Sequence, residues 1–166
     1  MLVGILSDTH RIRPDDRFRR SCQRCFADCP VIIHAGDLTD VAILEVFRDK
    51  EVYAVHGNMC TDRTRQVLPD MRSFRIRGYG FGLIHGAGLG PDRVGTMIGL
   101  FPDADCIISG HTHEPFWHWY GRTLFVNPGS FFSTGPYGAQ GTYAVLQLGE
   151  TLKGSIREVP LEGVER

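Results

Sequence analysis

The sequence predicts an α/β fold in which two β-sheets pack together with helices outside. Strand and helix signals alternate through the first two thirds of the chain, and the last third is rich in strand signals separated by Gly-rich turns. Five short apolar runs also end in residues that carry O or N donors. They are LVGIL before Ser7-Asp8-Thr9-His10, VII before His34-Ala35-Gly36-Asp37, VYAV before His56-Gly57-Asn58, FGLI before His85-Gly86, and CII before Ser109-Gly110-His111-Thr112-His113. A short β-branched run bounded by Gly and polar residues reads as a buried strand. In open α/β sheets, ligands bind beyond the carboxyl ends of the strands. The repeated pattern therefore sets Asp8, His10, Asp37, Asn58, His85, His111 and His113 along one rim.

Residues 2–7 form the first predicted strand, which leads straight into Asp8 with no basic segment before it, as a strand does and a secretory signal does not. Pro14-Asp15-Asp16 open a helix over 15–28. A strand at 31–34 precedes a helix at about 40–49, with Asp40 as N-cap. A strand at 52–55 precedes a short helix around 62–68, which Pro69 ends. This βαβαβ order implies parallel strands with crossover helices. Residues 72–77 and 80–85 read as a hairpin across Gly78-Tyr79-Gly80. A helix at about 91–100 starts at Pro91, and strands follow at 105–108, 115–120, 123–126, 142–148 and 153–158. With no repeat, linker or low-complexity tract, residues 1–166 are expected to form one domain, with fraying from Leu161 to Arg166.

The 166 residues carry a formal charge of −1 and are 42% hydrophobic, a composition expected of an ordinary soluble protein, and the reading of residues 2–7 as a strand and not a signal makes a cytoplasmic one the expectation. Neither charge sign favours a polyanion or a membrane surface, and no apolar run approaches the roughly 20 residues that span a bilayer. The five cysteines (Cys22, Cys25, Cys29, Cys60 and Cys106) are an odd set without a signal, so reduced thiols are expected. Cys22, Cys25 and Cys29 fall at i, i+3 and i+7 near Phe18 and Phe26, a spacing that puts them on the buried face of a helix. No fourth cysteine follows at a spacing that suits an iron–sulfur cluster.

The rim motifs carry the chemistry. Asp8-x-His10 can converge on one ion, although an Asp capping a turn beside a surface His reads the same in isolation. Gly36-Asp37 offers a carboxylate able to bridge two cations, or an Asx turn. Gly57-Asn58 offers an amide oxygen or a turn, and His85-Gly86 alone is a strand-end histidine. Two imidazoles one residue apart in Gly110-His111-Thr112-His113 form a metal clamp. Seven O and N donors exceed one structural zinc and suit a two-metal site. Two divalent cations against two carboxylates leave a double positive charge, which suits a hydroxide plus one further monoanion. Ser7 and Ser130 lack a base partner for nucleophilic catalysis. Gly86-Ala87-Gly88-Leu89-Gly90 lacks the Gly-Lys-Ser/Thr ending of a P-loop and reads as a flexible loop at the rim. In Pro115-Phe116-Trp117-His118-Trp119-Tyr120, one face is expected to fill the core, the alternative being a subunit interface or a nucleobase wall. Phe131, Phe132 and Tyr137 pose the same choice.

The ordered set D-x-H, G-D, G-N, H-G and G-H-T-H resembles the calcineurin-like metallophosphoesterases over nearly the whole chain. The compact length and Asn127-Pro128-Gly129-Ser130 are similar to the small bacterial and archaeal phosphodiesterase branch. The resemblance implies a four-layer αββα sandwich of two mixed sheets flanked by helices. It also implies one metal on Asp8, His10, Asp37 and His113, with Asp37 bridging to a second held by Asn58, His85 and His111. The implied activity is hydrolysis of a small phosphodiester by a hydroxide bound to two divalent transition metals. Manganese is the first choice, and iron, zinc, nickel or cobalt are able to serve.

Three departures from the family pattern stand out. Met59 follows Asn58 where phosphomonoesterase members place a proton-donating His, and Met59-Cys60 stands where the small branch has Cys-Asp. Arg11 replaces a Gly after His10, and Ala87 replaces a His after Gly86. None removes a ligand. His56 joins Asp37 and Asn58 as a candidate catalytic residue, to donate a proton or orient a ligand, unless it packs a strand end as His34 also can. Arg11 and Arg13 are able to clamp phosphate, whereas Arg17, Arg19, Arg20 and Arg24 read as a solvated face. Two other readings remain: a protein-binding scaffold resembling the retromer subunit of this fold, and a nuclease on long nucleic acid. The complete ligand set argues against the first and the near-neutral charge against the second. A homo-oligomer stays open.

Overall fold

In the computed structural model, which describes residues 1–134 and 137–161, the parallel strands divide between two five-stranded sheets. The first sheet holds β1 (Leu2–Leu6), β2 (Val31–His34) and β3 (Glu51–Ala54) in parallel. Beside β1 lies β11 (Thr142–Leu148), antiparallel and followed outward by β12 (Leu152–Glu158). The second sheet holds β5 (Tyr79–Ile84), β6 (Cys106–Ile108) and β8 (Thr123–Asn127) in parallel. Its edges are the antiparallel strands β4 (Met71–Ile76) and β7 (Phe116–Tyr120). Strands β9 (Ser133–Thr134) and β10 (Ala139–Gln140) form a separate two-stranded ribbon that the sequence reading missed, each strand being too short to show a period.

Strand alternation explains the layers. Val3, Ile5, Val31 and Ile33 of the first sheet meet Phe81, Leu83, Ile108 and Val126 of the second in one buried core between the sheets. On the outer face of the first sheet, Leu6, Ile32 and Val145 pack against Phe18, Cys22, Cys25 and Phe26 of α1 (Asp16–Phe26) and against Ile43 and Phe47. On the outer face of the second, Ile107 and Phe125 pack against Met97 of α3 (Arg93–Leu100) and Phe101. Three cores between four layers give the expected αββα sandwich of two mixed sheets. Phe26 is fully buried, so truncating it to Ala costs about 3–5 kcal/mol.

The helices start on caps. Asp15 accepts from Phe18 N–H at 2.8 Å, and Asp40 from Ala42 N–H at 2.9 Å. Thr61 accepts from Thr64 N–H at 3.3 Å to open α2 (Asp62–Val67). Asp92 caps α3, so that helix begins two residues after the Pro91 start expected from sequence. The segment expected as a helix at about 40–49 is a 3₁₀ helix, Val41–Phe47. Its β-branched Val41, Ile43 and Val46 disfavour a regular α-helix, and the turn tightens around buried Ile43 and Phe47. The hairpin turn is Arg77-Gly78, both at positive φ (49° and 87°), with Ile76 paired to Tyr79. Tyr79 and Gly80 therefore belong to β5 and not to the turn.

Cys22 and Cys25 lie on the buried face of α1 as expected, while Cys29 is buried beyond the end of that helix. Burial pushes the Cys22 thiol up, and Cys25 likewise to about 12, so neither supplies a thiolate at neutral pH. Arg17, Arg19, Arg20 and Arg24 are all exposed, as expected. The aromatic strand differs from its core expectation. β7 pairs only with β8, and of its rings Trp117 alone is drawn towards the core between the sheets. Phe116, Trp119 and Tyr120 are about two-fifths exposed (40%, 43% and 39%), because an edge strand has no second neighbour to cover it. Phe131 is fully buried and Tyr137 is exposed. Of the segment expected to fray, residues 162–166 lie outside the described residues. Among the described residues no helix is long and apolar enough to cross a membrane.

Candidate metal centre

All seven expected donors lie just past the carboxyl ends of β1, β2, β3, β5 and β6. Five of them hold left-handed backbone: Asp8 (φ 54°), His10 (48°), Asp37 (50°), His111 (70°) and His113 (58°). Such a conformation costs a non-Gly residue on the order of 1–3 kcal/mol and survives only where its surroundings impose it. Here backbone bonds between the loops do so. Asp8 N–H donates to Gly36 O at 3.0 Å, His10 N–H to Asp37 O at 3.0 Å, and His111 N–H to Asp8 Oδ2 at 3.1 Å. Ser130 Oγ donates to Asp8 O at 3.0 Å, and Ser7 Oγ to Asp8 Oδ2 at 2.5 Å. Asn127 Nδ2 donates to Gly110 O at 2.9 Å and Thr112 Oγ1 at 3.0 Å, which locks the loop carrying His111 and His113.

The side chains fall into two groups, Asp8 with His10 and His113, and Asp37 with His85 and His111. In the first, His113 Nε2 lies 3.1 Å from Asp8 Oδ1 and 3.3 Å from His10 Nε2. In the second, His85 Nε2 lies 3.1 Å from Asp37 Oδ2 and 3.2 Å from Asn58 Oδ1. The groups adjoin, with His85 Nε2 4.0 Å from Asp8 Oδ1. Two close-approach glycines keep the space clear. A Cβ on Gly57 would collide with Asp37 Oδ1, and one on Gly110 with Ser7 Oγ and Asp8 Oδ2.

The donor chemistry fits metal ions. His85 Nδ1 faces Ala35 O at 2.8 Å, and a carbonyl only accepts, so Nδ1 carries the proton. His85 Nε2 then meets a carboxylate oxygen and an amide oxygen, both acceptors. A positive charge belongs among them, either as a proton on Nε2 or, for this set of O and N donors, as a metal ion. Burial opposes a charge on His85, yet its hydrogen bond to Asp37 and the Asp8 and Asp37 charges raise its pKa overall. Burial likewise disfavours the Asp37 carboxylate, but bonds from His85 and from Met59 N–H (2.7 Å) hold its pKa below the usual range. Burial, then the charges of His85 and Arg93, lowers His111. Both rings are thereby coupled to the same acidic surroundings.

His34 is fully buried behind the rim, its Nδ1 accepting from Gly36 N–H at 3.3 Å and its Nε2 3.1 Å from Thr9 Oγ1. It therefore supports the loops, one of the two roles its position allowed. Burial, then the charge of His85, lowers its pKa from 6.5 to about 3. A base whose pKa is depressed by folding stabilises the fold fully above its unfolded value and loses that contribution as pH falls towards the folded one. Metal-stripped protein should thus lose stability between pH 6.5 and about 3, by on the order of 5 kcal/mol from this group. Urea unfolding across that range should show a flatter profile for His34→Gln, and parallel profiles would refute the assignment.

His56 lies apart from both groups, half-buried, with Nδ1 3.4 Å from Gly57 O. It lines a cavity of about 210 Å³ with Asn58, Arg65, Asp70 and His85. Met59 is 60% exposed. Arg11 is engaged elsewhere, paired with Asp15 and stacked 4.0 Å over the Phe132 ring. The sequence reading missed Ser7 and Asn127 as supports of the ligand loops, and it did not single out Arg93 beside His111. Ser7 stands next to a motif residue and Asn127 opens Asn-Pro-Gly-Ser, so both had a local signal, whereas Arg93 had none.

The family model for the calcineurin-like phosphoesterase superfamily domain matches residues 1–151. A probable metallophosphoesterase of Methanothermobacter thermautotrophicus is 39% identical over 134 residues, 78% of this chain and 77% of the relative. An archaeal phosphodiesterase structure superposes with a TM-score of 0.72 at 24% identity, covering 95% of this chain and 100% of the other. Wild-type Vps29 of Entamoeba histolytica, in complex with zinc, also gives 0.72, at 20% identity and over 96% and 100% of the two chains.

Proposed function

Because the chain belongs to the calcineurin-like phosphoesterase superfamily, we propose that it is a phosphodiesterase working with two divalent metal ions. Asp8, His10 and His113 would hold one, Asn58, His85 and His111 the other, and Asp37 would contribute to both. The observation that carries this is the pair of adjoining donor groups, Asp8 with His10 and His113 and Asp37 with His85 and His111, linked by His85 Nε2 at 4.0 Å from Asp8 Oδ1. When bound there, such ions would supply positive charge to lower the pKa of a water and to offset the charge of a phosphoryl group.

The chain's own residues do the rest. Asp8 and Asp37 trim the cationic charge to a value that suits a diester monoanion plus a hydroxide. Met59 has no proton to give from its side chain, and its N–H anchors Asp37. His56 shares a cavity with Asn58 and His85, so it is the imidazole outside the ligand set with access to a leaving oxygen. The archaeal phosphodiesterase of the same fold favours a diester, and the zinc complex of the Entamoeba protein favours metal occupancy. A net charge of −1 favours a small substrate over long nucleic acid.

The test is to strip the protein, reload it separately with manganese, iron, zinc, nickel and cobalt, and assay diester and monoester panels side by side. Diester hydrolysis that depends on added metal is expected, with manganese the best of the five. Two bound equivalents with no hydrolysis of any ester would favour the scaffold reading.

A further inference from the structure

Arg93 opens α3 and faces the rim from the outer layer of the second sheet. Its Nη2 is buried, with no hydrogen-bond partner; among the described residues it is the one buried side-chain N or O atom in that state. A buried donor left unpaired is costly, and a charged one more so. The atom is placed against the rim. A Cβ built on Gly86, the residue after His85, would lie 2.8 Å from Nη2. Gly86 itself holds φ 93°, a second reason for glycine there.

On its other side Arg93 lines a cavity of about 200 Å³ with Ser109, Thr112 and Asn127, which belong to or brace the loop carrying His111 and His113. Glu114 also lines that cavity, yet no ion pair within 4.0 Å joins it to Arg93. The guanidinium thus stands between two ligand loops, desolvated at one nitrogen and, among the described residues, unmatched by an anion.

We propose that Arg93 is a substrate-binding residue whose guanidinium engages a phosphoryl oxygen of the ester seated at the rim. A planar guanidinium suits a phosphoryl group better than an ammonium does, because two of its N–H groups match two oxygens. The proposal rests on the phosphoesterase reading for the identity of the anion, but the fate of the unpaired nitrogen can be tested without catalysis.

Inorganic phosphate is the probe, titrated by calorimetry into the metal-loaded protein and into Arg93→Met and Arg93→Lys. Loss of a charge-assisted bond should weaken phosphate binding by about 10–100-fold in Arg93→Met. Metal content should stay at the parent level, and the melting temperature without phosphate should hold or rise, since the change removes an unpaired buried cation. Arg93→Lys should recover only part of the affinity. In turnover, KM for a diester should rise more than kcat falls. Phosphate affinity within twofold of the parent in Arg93→Met would overturn the proposal. So would a fall in melting temperature that Glu114→Gln reproduces, because Arg93 would then be half of a structural pair. If the parent hydrolyses no ester, the phosphoesterase reading fails, and the phosphate titration still decides the role of Arg93.

Discussion

Asp37→Asn is expected to lower metal occupancy at both groups and to reduce kcat/KM by more than the roughly 10–100-fold that residues bracing a ligand typically cost. The substitution is nearly isosteric. The amide oxygen can keep the bond from Met59 N–H, and the amide N–H can donate to the His85 Nε2 lone pair, so the metal-free fold should survive. What disappears is the negative charge and the second oxygen, the two properties a shared ligand needs. Asp8→Asn provides the comparison. Asp8 Oδ1 belongs to the His10 and His113 group, 4.0 Å from His85 Nε2, so its loss should fall first on that group. Metal analysis after exhaustive dialysis, with melting temperatures taken with and without metal, separates the cases. Full double occupancy in Asp37→Asn would end the bridging assignment, and loss of one equivalent only would make Asp37 a ligand of a single ion.

The rim was legible because each donor follows a short apolar run bounded by Gly and polar residues, which reads as a buried strand. Strand ends set the position of a side chain to within a residue or two even when helix boundaries slip. Val31–His34 was read to the residue, and Asp8, Asp37 and His85 follow their strands with no freedom to drift. The left-handed backbone at Asp8, His10, Asp37, His111 and His113 left only a weak mark in the sequence, since Asp and His are enriched at positive φ but far less decisively than glycine. Bonds between separate loops impose it, and such bonds have no local signature. The 3₁₀ helix was misread for a related reason. Asp40 signals a helix start, but the pitch is set by how Ile43 and Phe47 seat against the sheet. The aromatic strand shows the opposite failure. Alternation gave its two faces correctly, but it could not say that β7 ends a sheet, which leaves most of its rings in solvent.

His56→Gln is expected to spare diesters with aryl leaving groups and to slow those with alkyl leaving groups by about 10²–10⁴-fold, the usual worth of general-acid help. An aryl oxide departs without a proton, whereas an alkoxide needs one in the transition state. In this chain the side chain after Asn58 is Met59, which has none to give, and among the described residues His56 is the remaining imidazole in the cavity beside Asn58 and His85. The slope of log kcat/KM against leaving-group pKa should therefore steepen in the variant. Monoesters should turn over weakly in both proteins, because a dianion overfills a site whose charge suits a monoanion. Met59→His placed in the His56→Gln background tests the geometry from the other direction. Met59 is 60% exposed, so an imidazole fits there without repacking, and it should return the slope towards the parent's. Equal losses for aryl and alkyl esters in His56→Gln would show that His56 positions the Gly57-Asn58 loop and moves no proton. An unchanged series would remove it from the reaction altogether.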